Sequence, residues 1–282
     1  MAQAAGAGDV AVVTGTTHGI GRVSALELAR AGLTVVMLSR DTAANEAVAA
    51  DIRARVAGSQ VECQPCDLSS LASVRAAAAA VRAQHARITL LLNNAGIVST
   101  RRRQSVDGYE LTFATNHLGP FLLTELLRDG IRPGGRIVNV SSRVHYQGRL
   151  DLDSIADPTA PYRSVAAYSR SKLANVLHTL ALARRLAGTG VTANCLHPGV
   201  VATHLLPGWL NYIRPLFKRE ILSEERGART SLYLSLSPGL EAVSGRYYDE
   251  HQQLQPVADI AQDEDLQEQL WRASARWTGL SS

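Results

Sequence analysis

The sequence predicts an α/β fold built on one doubly wound parallel sheet of about seven strands, with helices on both faces. Short apolar runs alternate along the chain with longer helical patterns, which is typical of βαβ units. The first run leads into three glycines, Gly15, Gly19 and Gly21, where a strand turns into a helix. No internal repeat or long linker divides the 282 residues. These observations predict a single Rossmann-type domain over residues 1–282.

The predicted elements follow in order along the chain. Strands are expected where apolar runs cluster, over residues 10–14, 33–38, 60–66, 88–92, 135–140, 191–196 and 245–248. Helices are expected over residues 20–31, 42–57, 71–84 and 164–187, and a long helix lies within 105–127. Residues 263–278 form a C-terminal helix with Leu266, Leu270 and Trp271 on its apolar side.

The composition is that of an ordinary globular protein, with 46% hydrophobic residues, 19% charged residues and a net charge of +4. No apolar run reaches the ~18 residues of a membrane span, and the first residues carry no secretion signal. We therefore expect a cytoplasmic protein with no stable membrane anchor. The basic run Arg101, Arg102 and Arg103 has no interleaved aromatic residues, which favours a solvated loop over a nucleic-acid site.

Three cysteines bear on metal binding and redox chemistry. Cys63 and Cys66 have the spacing of a metal or redox pair, but no second Cys/His pair with zinc spacing follows them. We interpret these two residues and Cys195 as buried reduced thiols, and we expect no metal site.

The glycine turn has the features of a phosphate-binding loop. Glycines lack Cβ atoms, so the backbone can turn tightly and approach a pyrophosphate. The helix that follows supplies free N–H groups and a partial positive charge. The expected cofactor contacts in this turn are Gly15, Thr17, His18, Gly19, Ile20 and Gly21.

The end of the second strand bears on the choice of cofactor. An NAD-binding site places a carboxylate about 20 residues past the glycines, whereas Arg40 stands 19 positions after Gly21. A guanidinium can bind a 2′-phosphate bidentately, and Ser39 adds a hydroxyl donor, so we expect NADP(H). Two alternatives stay open: a small shift of Asp41 would favour NAD(H), or Arg40 could simply pair with Asp41 or Asp67.

Tyr168 and Lys172 stand four residues apart within a predicted helix, so that both side chains leave the same face. The ammonium favours the phenolate and is expected to lower the Tyr168 pKa from its ordinary value of about 10. Such a phenol can exchange a proton with an alcohol or ketone near neutral pH.

Further motifs fall in order along the chain. They are Cys66-Asp67-Leu68, Asn93-Asn94-Ala95-Gly96, Thr115-Asn116-His117-Leu118-Gly119, Val140-Ser141-Ser142 and His197-Pro198-Gly199. With the Tyr/Lys pair, they resemble the short-chain dehydrogenase/reductase family over about residues 10–245. The phrases at residues 116–124, 171–177 and 196–199 resemble its retinol dehydrogenase branch.

The resemblance implies a role for each matched residue. Tyr168 would be the general acid or base, Ser142 would hydrogen-bond the substrate oxygen, Lys172 would hold the nicotinamide ribose, and Asn116 would steady a water of a proton relay. The implied cofactor contacts are Asp67, Leu68, Asn94, Ala95, Gly96, Tyr168, Lys172, Pro198, Gly199, Val201 and Thr203. Alternatives stay open: Ser141 in place of Ser142, Asn116 as a structural tie, and Thr203 as a helix cap.

Two features set this chain apart from many family members. Ser142 and Tyr168 are 26 positions apart, and we expect the surplus connection to edge the active site. Residues 204–226 begin with a run of large apolar groups and suggest a substrate lid. We expect a lipophilic carbonyl or alcohol substrate and, from the resemblance, a homodimer or homotetramer. A carbon–carbon double-bond reductase like the protochlorophyllide reductases, and a non-catalytic NADP(H)-sensing protein, are the alternatives.

Overall fold

The computed structural model describes residues 8–201 and 221–280, without the side chain of Ile221. Its main sheet has eight strands in the order β10-β9-β6-β5-β4-β1-β2-β3. The strands are β1 (Val10–Thr14), β2 (Thr34–Ser39), β3 (Val61–Pro65), β4 (Ile88–Asn93), β5 (Ile131–Val140), β6 (Thr192–Leu196), β9 (Tyr247–Tyr248) and β10 (Leu254–Gln255). A separate parallel pair joins β7 (Val200–Val201) to β8 (Ile221–Leu222).

Helices cover both faces of the sheet. They are α1 (Gly19–Arg30), α2 (Thr42–Arg55), α3 (Leu71–Gln84), α4 (Leu111–Phe113), α5 (Gly119–Leu127), α6 (Asp153–Ala156), α7 (Ser164–Arg185), α8 (Glu224–Leu236) and α9 (Glu264–Thr278). The core on one face joins strand residues to α3, α5 and α7, and the core on the other face joins them to α1, α2 and α8. Alternate residues of β1 and β2 enter opposite cores, as the twofold periodicity of a strand requires.

The strand order places a topological switch point beside β1. The chain runs from β1 outward to β2 and β3, and then returns to place β4 on the other side of β1. The crevice beyond the carboxyl ends of β1 and β4 is where ligands bind in sheets of this topology. The predicted doubly wound sheet is therefore confirmed, with seven mutually parallel strands and the short antiparallel strand β10 added at one edge.

Helix α8 is not predicted by the sequence pattern. Its buried face is made largely of small or polar residues, so it lacks the apolar stripe that marks an amphipathic helix. Gly227 explains why the residues are small, because a Cβ there would come within 2.5 Å of the Val201 side chain. At Gly227 the helix therefore packs too closely on Val201 for a larger residue to fit.

The predicted lid, residues 204–226, lies mostly outside the described residues, and so does Thr203. Its described end forms β8 and the start of α8, which Ser223 caps by accepting a hydrogen bond from the Arg226 N–H. Among the described residues, no helix is both long enough and apolar enough to cross a bilayer. Asp263 caps α9, where the C-terminal helix was expected.

Candidate active site

The glycine turn at the end of β1 packs too tightly for any side chain. Gly15 and Gly19 have φ angles of +72° and +63°, in the left-handed region that favours glycine. A Cβ at Gly15 would lie 2.9 Å from the Ala95 Cα, and one at Gly21 would lie 2.1 Å from the Gly15 carbonyl oxygen. Backbone atoms therefore form the walls of this turn, the glycine cradle (residues 15–21), which leads directly into α1.

Helix α1 begins at this cradle without a side-chain cap. Its N-cap residue, His18, is extended at φ −161° and makes no capping hydrogen bond with its side chain. The His18 Nδ1 lies 2.9 Å from the Thr17 Oγ1 instead, and Ile20 packs against Val201. Because the first turn also lacks acidic residues, its N–H groups and positive dipole end suit a pyrophosphate.

Arg40, at the end of β2, is exposed, and none of the described carboxylates forms an ion pair with it. The Asp41 carboxylate caps α2 by accepting the Ala44 N–H at 3.0 Å. The Asp67 carboxylate accepts two hydrogen bonds, at 2.9 and 2.7 Å, from the residue two positions later. Ser39 is buried, and its hydroxyl accepts the Asp41 N–H at 3.2 Å. Among the described residues, Arg40 pairs with neither Asp41 nor Asp67, so this open alternative is not supported.

Thr14 joins the carboxyl ends of β1 and β4. Its hydroxyl accepts the backbone N–H groups of Asn94 and Ala95, each at 3.0 Å, and the Asn94 side chain donates to the Thr14 carbonyl at 2.9 Å. Leu68 is buried, and its carbonyl lies only 2.3 Å from where a Cβ at Gly119 would be. The Thr14 contacts thus hold the Asn94-Ala95 motif against the end of β1.

Tyr168 and Lys172 share one face of α7, below the carboxyl end of β5. The Lys172 Nζ lies 5.6 Å from the centroid of the Tyr168 ring and donates to the Val140 carbonyl at 2.9 Å. Lys172 is 2% exposed, whereas Tyr168 retains partial access to solvent. A Cβ at Gly96 would lie 3.4 Å from the Lys172 Nζ, so the glycine keeps this corner open.

The expectation of a lowered Tyr168 pKa is wrong for this geometry. Burial raises the pKa of Tyr168 to about 12, and a hydrogen bond with Ser142 only partly opposes that rise. Burial also lowers the pKa of Lys172 to about 8. Desolvation is the largest cause of both shifts, because both groups lose water and each is thereby pushed toward its neutral form.

Two consecutive serines follow β5, and their contacts differ. The Ser141 hydroxyl donates to the Lys172 carbonyl at 2.8 Å, and its N–H donates to the Leu196 carbonyl at 2.7 Å. The Ser142 side chain instead interacts with the Tyr168 phenol and lowers its pKa. The hydroxyl of Ser142, rather than that of Ser141, therefore faces the reactive side of α7.

Asn116 lies in a single turn of π-helix, Ala114–Leu118, between α4 and α5. Its side chain exchanges two hydrogen bonds with the Ile97 backbone, at 2.7 and 2.9 Å, and donates to the Ser171 hydroxyl at 3.0 Å. The side chain is thus a structural tie, one of the two open alternatives. Pro120 has no N–H, so the Asn116 carbonyl lacks the usual α-helical donor four residues later.

The motif after β6 reaches the same crevice. Gly199 has a φ of +84°, and a Cβ there would come within 2.5 Å of the Leu222 side chain. Pro198 is partly buried and Val201 is buried beside α1. Nothing places Thr203, which lies outside the described part of the chain.

The connection between Ser142 and Tyr168 is anchored to the loop that follows β4. The hydroxyls of Tyr162 and Ser164 both donate to the Ser99 carbonyl, at 2.9 and 2.7 Å. Arg102 donates to backbone carbonyls of the same connection, one of them at 2.9 Å. Arg102 therefore departs from the predicted solvated loop, because its guanidinium donates to backbone carbonyls, whereas Arg101 and Arg103 are exposed.

The cysteines and the buried histidines behave as packed groups. Burial raises the pKa of Cys63 to about 11 and those of Cys66 and Cys195 to about 12. Burial lowers the pKa of His117 to about 3 and that of His197 to about 4. Among the described residues, no group of three or more His, Cys, Asp or Glu side chains could hold a metal ion.

The doubly wound sheet carries the glycine cradle at its switch point, and Ser142, Tyr168 and Lys172 lie beside it. This combination defines a Rossmann-type oxidoreductase. The family model for short chain dehydrogenases matches residues 9–210. Retinol dehydrogenase 13 of Homo sapiens is 41% identical over 285 residues, covering 98% of this chain and 86% of that protein. The chain therefore belongs to the short-chain dehydrogenase/reductase family, in its retinol dehydrogenase-like branch.

Solved structures agree with this assignment. The crystal structure of an uncharacterized protein from Mycobacterium paratuberculosis has a TM-score of 0.79 and 34% identity, covering 97% of this chain and 94% of that one. A short chain dehydrogenase from Burkholderia cenocepacia J2315, in complex with NADP, has a TM-score of 0.71 and 25% identity, covering 86% of this chain and 96% of that one. The protein is thus an oxidoreductase of a family that transfers hydride.

Proposed function

We propose that the protein is an NADP(H)-dependent dehydrogenase/reductase that interconverts a lipophilic aldehyde or ketone and its alcohol. The observation that carries the proposal is the meeting of the Ser142 hydroxyl, the Tyr168 phenol and the Lys172 ammonium beside the glycine cradle. Two exposed apolar side chains stand next to the site motifs along the chain, Tyr146 four positions after Ser142 and Val200 directly after Gly199, at 44% and 45% exposure. The retinol dehydrogenases among its relatives act, by their name, on a lipophilic alcohol.

The residues at the switch point fit a nicotinamide dinucleotide. The glycine cradle and the first turn of α1 would hold the pyrophosphate, Asp67 and Leu68 would meet the adenine, and Lys172 would hold the nicotinamide ribose. When bound, the cofactor supplies the redox chemistry, which is donation or acceptance of hydride.

The side chains divide the remaining work at the substrate oxygen. Ser142 and Tyr168 donate hydrogen bonds to that oxygen as negative charge develops on it, and Tyr168 also delivers the proton in reduction. Lys172 stabilises the phenolate that remains. The Asn116 carbonyl, which cannot accept from Pro120, is suited to hold a water that returns a proton toward Lys172. The family resemblance assigns the holding of this water to Asn116, and we propose that its backbone carbonyl does so.

A direct assay tests the proposal. The purified protein is incubated with NADPH and a panel of hydrophobic carbonyls, with nonanal and 2-nonanone as probes, and cofactor absorbance is followed. Matched enones test the carbon–carbon double-bond alternative, in which saturation would occur at the alkene. NADPH binding without turnover of any probe would favour the sensing protein instead.

The choice of cofactor is tested by replacing Arg40 with Ala. Because Arg40 is exposed and pairs with no described carboxylate, we propose that it binds the 2′-phosphate. Loss of a charge-assisted bidentate contact should raise the KM for NADPH by about 10-fold to 100-fold and leave the KM for NADH unchanged. Arg55→Ala, at the exposed end of α2, is the matched control. An unchanged NADPH/NADH preference in Arg40→Ala would rule out the contact.

The pH dependence of the two directions should differ. Reduction needs the Tyr168 phenol protonated, which a pKa of about 12 ensures, and it needs the Lys172 ammonium, whose pKa is about 8. The rate of reduction should therefore fall as pH rises through about 8. Oxidation needs the phenolate, so its rate should rise with pH up to about 8 and then level off, because the Lys172 ammonium that stabilises the phenolate is lost there. Initial rates in both directions between about pH 6 and 10 check this, and a rising reduction rate would contradict the assignment of the acid.

A further inference from the structure

His145 lies fully buried in the turn after Ser142 and bridges two parts of the backbone. The His145 ring is 0% exposed. Its Nδ1 lies 2.8 Å from the Ser142 carbonyl oxygen, and its Nε2 lies 3.3 Å from the Ala258 backbone nitrogen. The ring thus links the residue that meets Tyr168 to a segment more than 100 positions later in the chain.

The two partners fix the protonation of the ring. The Ser142 carbonyl can only accept, so Nδ1 carries the proton and donates. The Ala258 N–H can only donate, so Nε2 must be the bare acceptor. Burial lowers the pKa of His145, which keeps the ring neutral and preserves both bonds.

Neighbouring side chains of the same turn reach the same segment, residues 250–258. Arg143 pairs with Glu250 at 3.2 Å, and the Tyr146 hydroxyl donates to the Pro256 carbonyl. The rings of Tyr146 and Tyr247 lie 4.1 and 4.7 Å from the His145 ring. Residues 250–258 therefore contact the turn that carries Ser142 through Arg143, His145 and Tyr146. Of these three residues, His145 alone is buried.

We propose that His145 is a positioning residue, which holds the Ser142 backbone so that its hydroxyl stays in line with the Tyr168 phenol. The proposal rests on the proposed function of Ser142. Ser142 itself is extended, at φ −163° and ψ 155°, and its hydroxyl accepts only a long 3.4 Å bond from the Val144 N–H. The Ser142 carbonyl accepts the His145 backbone N–H at 3.1 Å and the ring Nδ1–H at 2.8 Å, and the ring bond, the shorter of the two, ties this carbonyl to Ala258. A shift of about 1 Å at a reacting group can cost about 100-fold in rate.

Three variants separate positioning from simple packing, with NADPH and nonanal as probes. His145→Asn can keep a donor near the position of Nδ1 for the Ser142 carbonyl. His145→Gln can keep an acceptor near Nε2 for the Ala258 N–H, and His145→Phe keeps the ring and its stacking but neither bond. We expect kcat to fall within about 5-fold for His145→Asn, the loss of one hydrogen bond, and by about 10-fold to 100-fold for His145→Gln and His145→Phe. The KM for NADPH should stay unchanged in all three.

A merely structural role predicts the opposite order, because Phe fills the buried site and Asn leaves a cavity. Melting temperatures, measured alongside, show which variants are folded. Equal kcat in folded His145→Asn and His145→Phe, or a higher kcat in the latter, would overturn the proposal. If Tyr168→Phe and Ser142→Ala lose activity while all His145 variants keep it, only the positioning role fails, and the proposed function stands.

Ala258→Pro provides an independent test that leaves His145 intact. It replaces the N–H that Nε2 accepts with a proline Cδ, which displaces the His145 ring from this position, and the φ of −55° at Ala258 is compatible with proline. We expect kcat to fall by about 5-fold or more, with the KM for NADPH unchanged. If Ala258→Pro keeps full kcat, Ala258 does not hold the ring and the proposal is overturned, even where His145→Phe proves unfolded.

Discussion

Replacing Tyr168 with Phe should lower kcat for carbonyl reduction by about 10³-fold, within the range of about 10² to 10⁴ for general acids, and leave NADPH affinity unchanged. The substitution removes the phenolic O–H that interacts with the Ser142 side chain but keeps the ring beside the Lys172 ammonium. The substrate oxygen then has one donor in place of two and no proton source. Steady-state rates with NADPH and nonanal, together with NADPH titration by intrinsic fluorescence, measure both quantities.

Tyr162→Phe is the matched control, because Tyr162 is also a phenol close to this part of the site. Its hydroxyl donates to the Ser99 carbonyl at 2.9 Å and faces no proposed reacting group. Its loss should cost about 5-fold or less, the worth of one hydrogen bond. Full activity in Tyr168→Phe would refute the mechanism. Equal losses in both variants would mean that the phenols act through structure rather than chemistry.

The sheet could be predicted from the sequence because its signals are local. Each central strand is an apolar run between turn residues, and the glycines Gly15, Gly19 and Gly21 mark the first βα turn. Helix α8 could not be predicted, because its packing face uses small and polar residues whose fit depends on Val201, which lies far from it along the chain. Strand β10 was missed for a simpler reason: it is two residues long and pairs only at the sheet edge.

The residue types of the candidate site could be predicted from the sequence, but the direction of the Tyr168 pKa shift could not. Spacing alone puts Tyr168 and Lys172 on one helix face, and the structure does so. The direction of the Tyr168 pKa was wrong, because spacing says nothing about how deeply a pair is buried. His145 was missed altogether, since its partner Ala258 contributes a backbone N–H that leaves no mark in the sequence.

Lys172→Met should produce opposite changes in activity and stability. The fall of the Lys172 pKa from 10.5 to about 8 corresponds to about 3 kcal/mol of unfavourable burial of the charge, at about 1.4 kcal/mol per pKa unit. Met fills a similar volume without a charge, but it gives up the hydrogen bond to the Val140 carbonyl, worth about 1 kcal/mol. We therefore expect the free energy of unfolding at pH 7 to rise by about 2 kcal/mol. The value of kcat should fall by about 10² to 10³, the cost of removing one stabilising group at a developing charge.

The stability gain must itself depend on pH, with a defined sign. Between about pH 8 and 10.5 the unfolded chain binds the Lys172 proton and the folded chain does not, so wild-type stability rises with pH there. The advantage of Lys172→Met should thus be largest below pH 8 and should shrink toward pH 10.5, which urea unfolding without added cofactor can follow. Arg55→Met removes an exposed charge that is paired with Asp51 and should show neither the gain nor its loss with pH. If Lys172→Met is less stable than wild type at pH 7, burial of the Lys172 ammonium does not destabilise the folded protein. The charge beside Tyr168 would then carry no cost in stability.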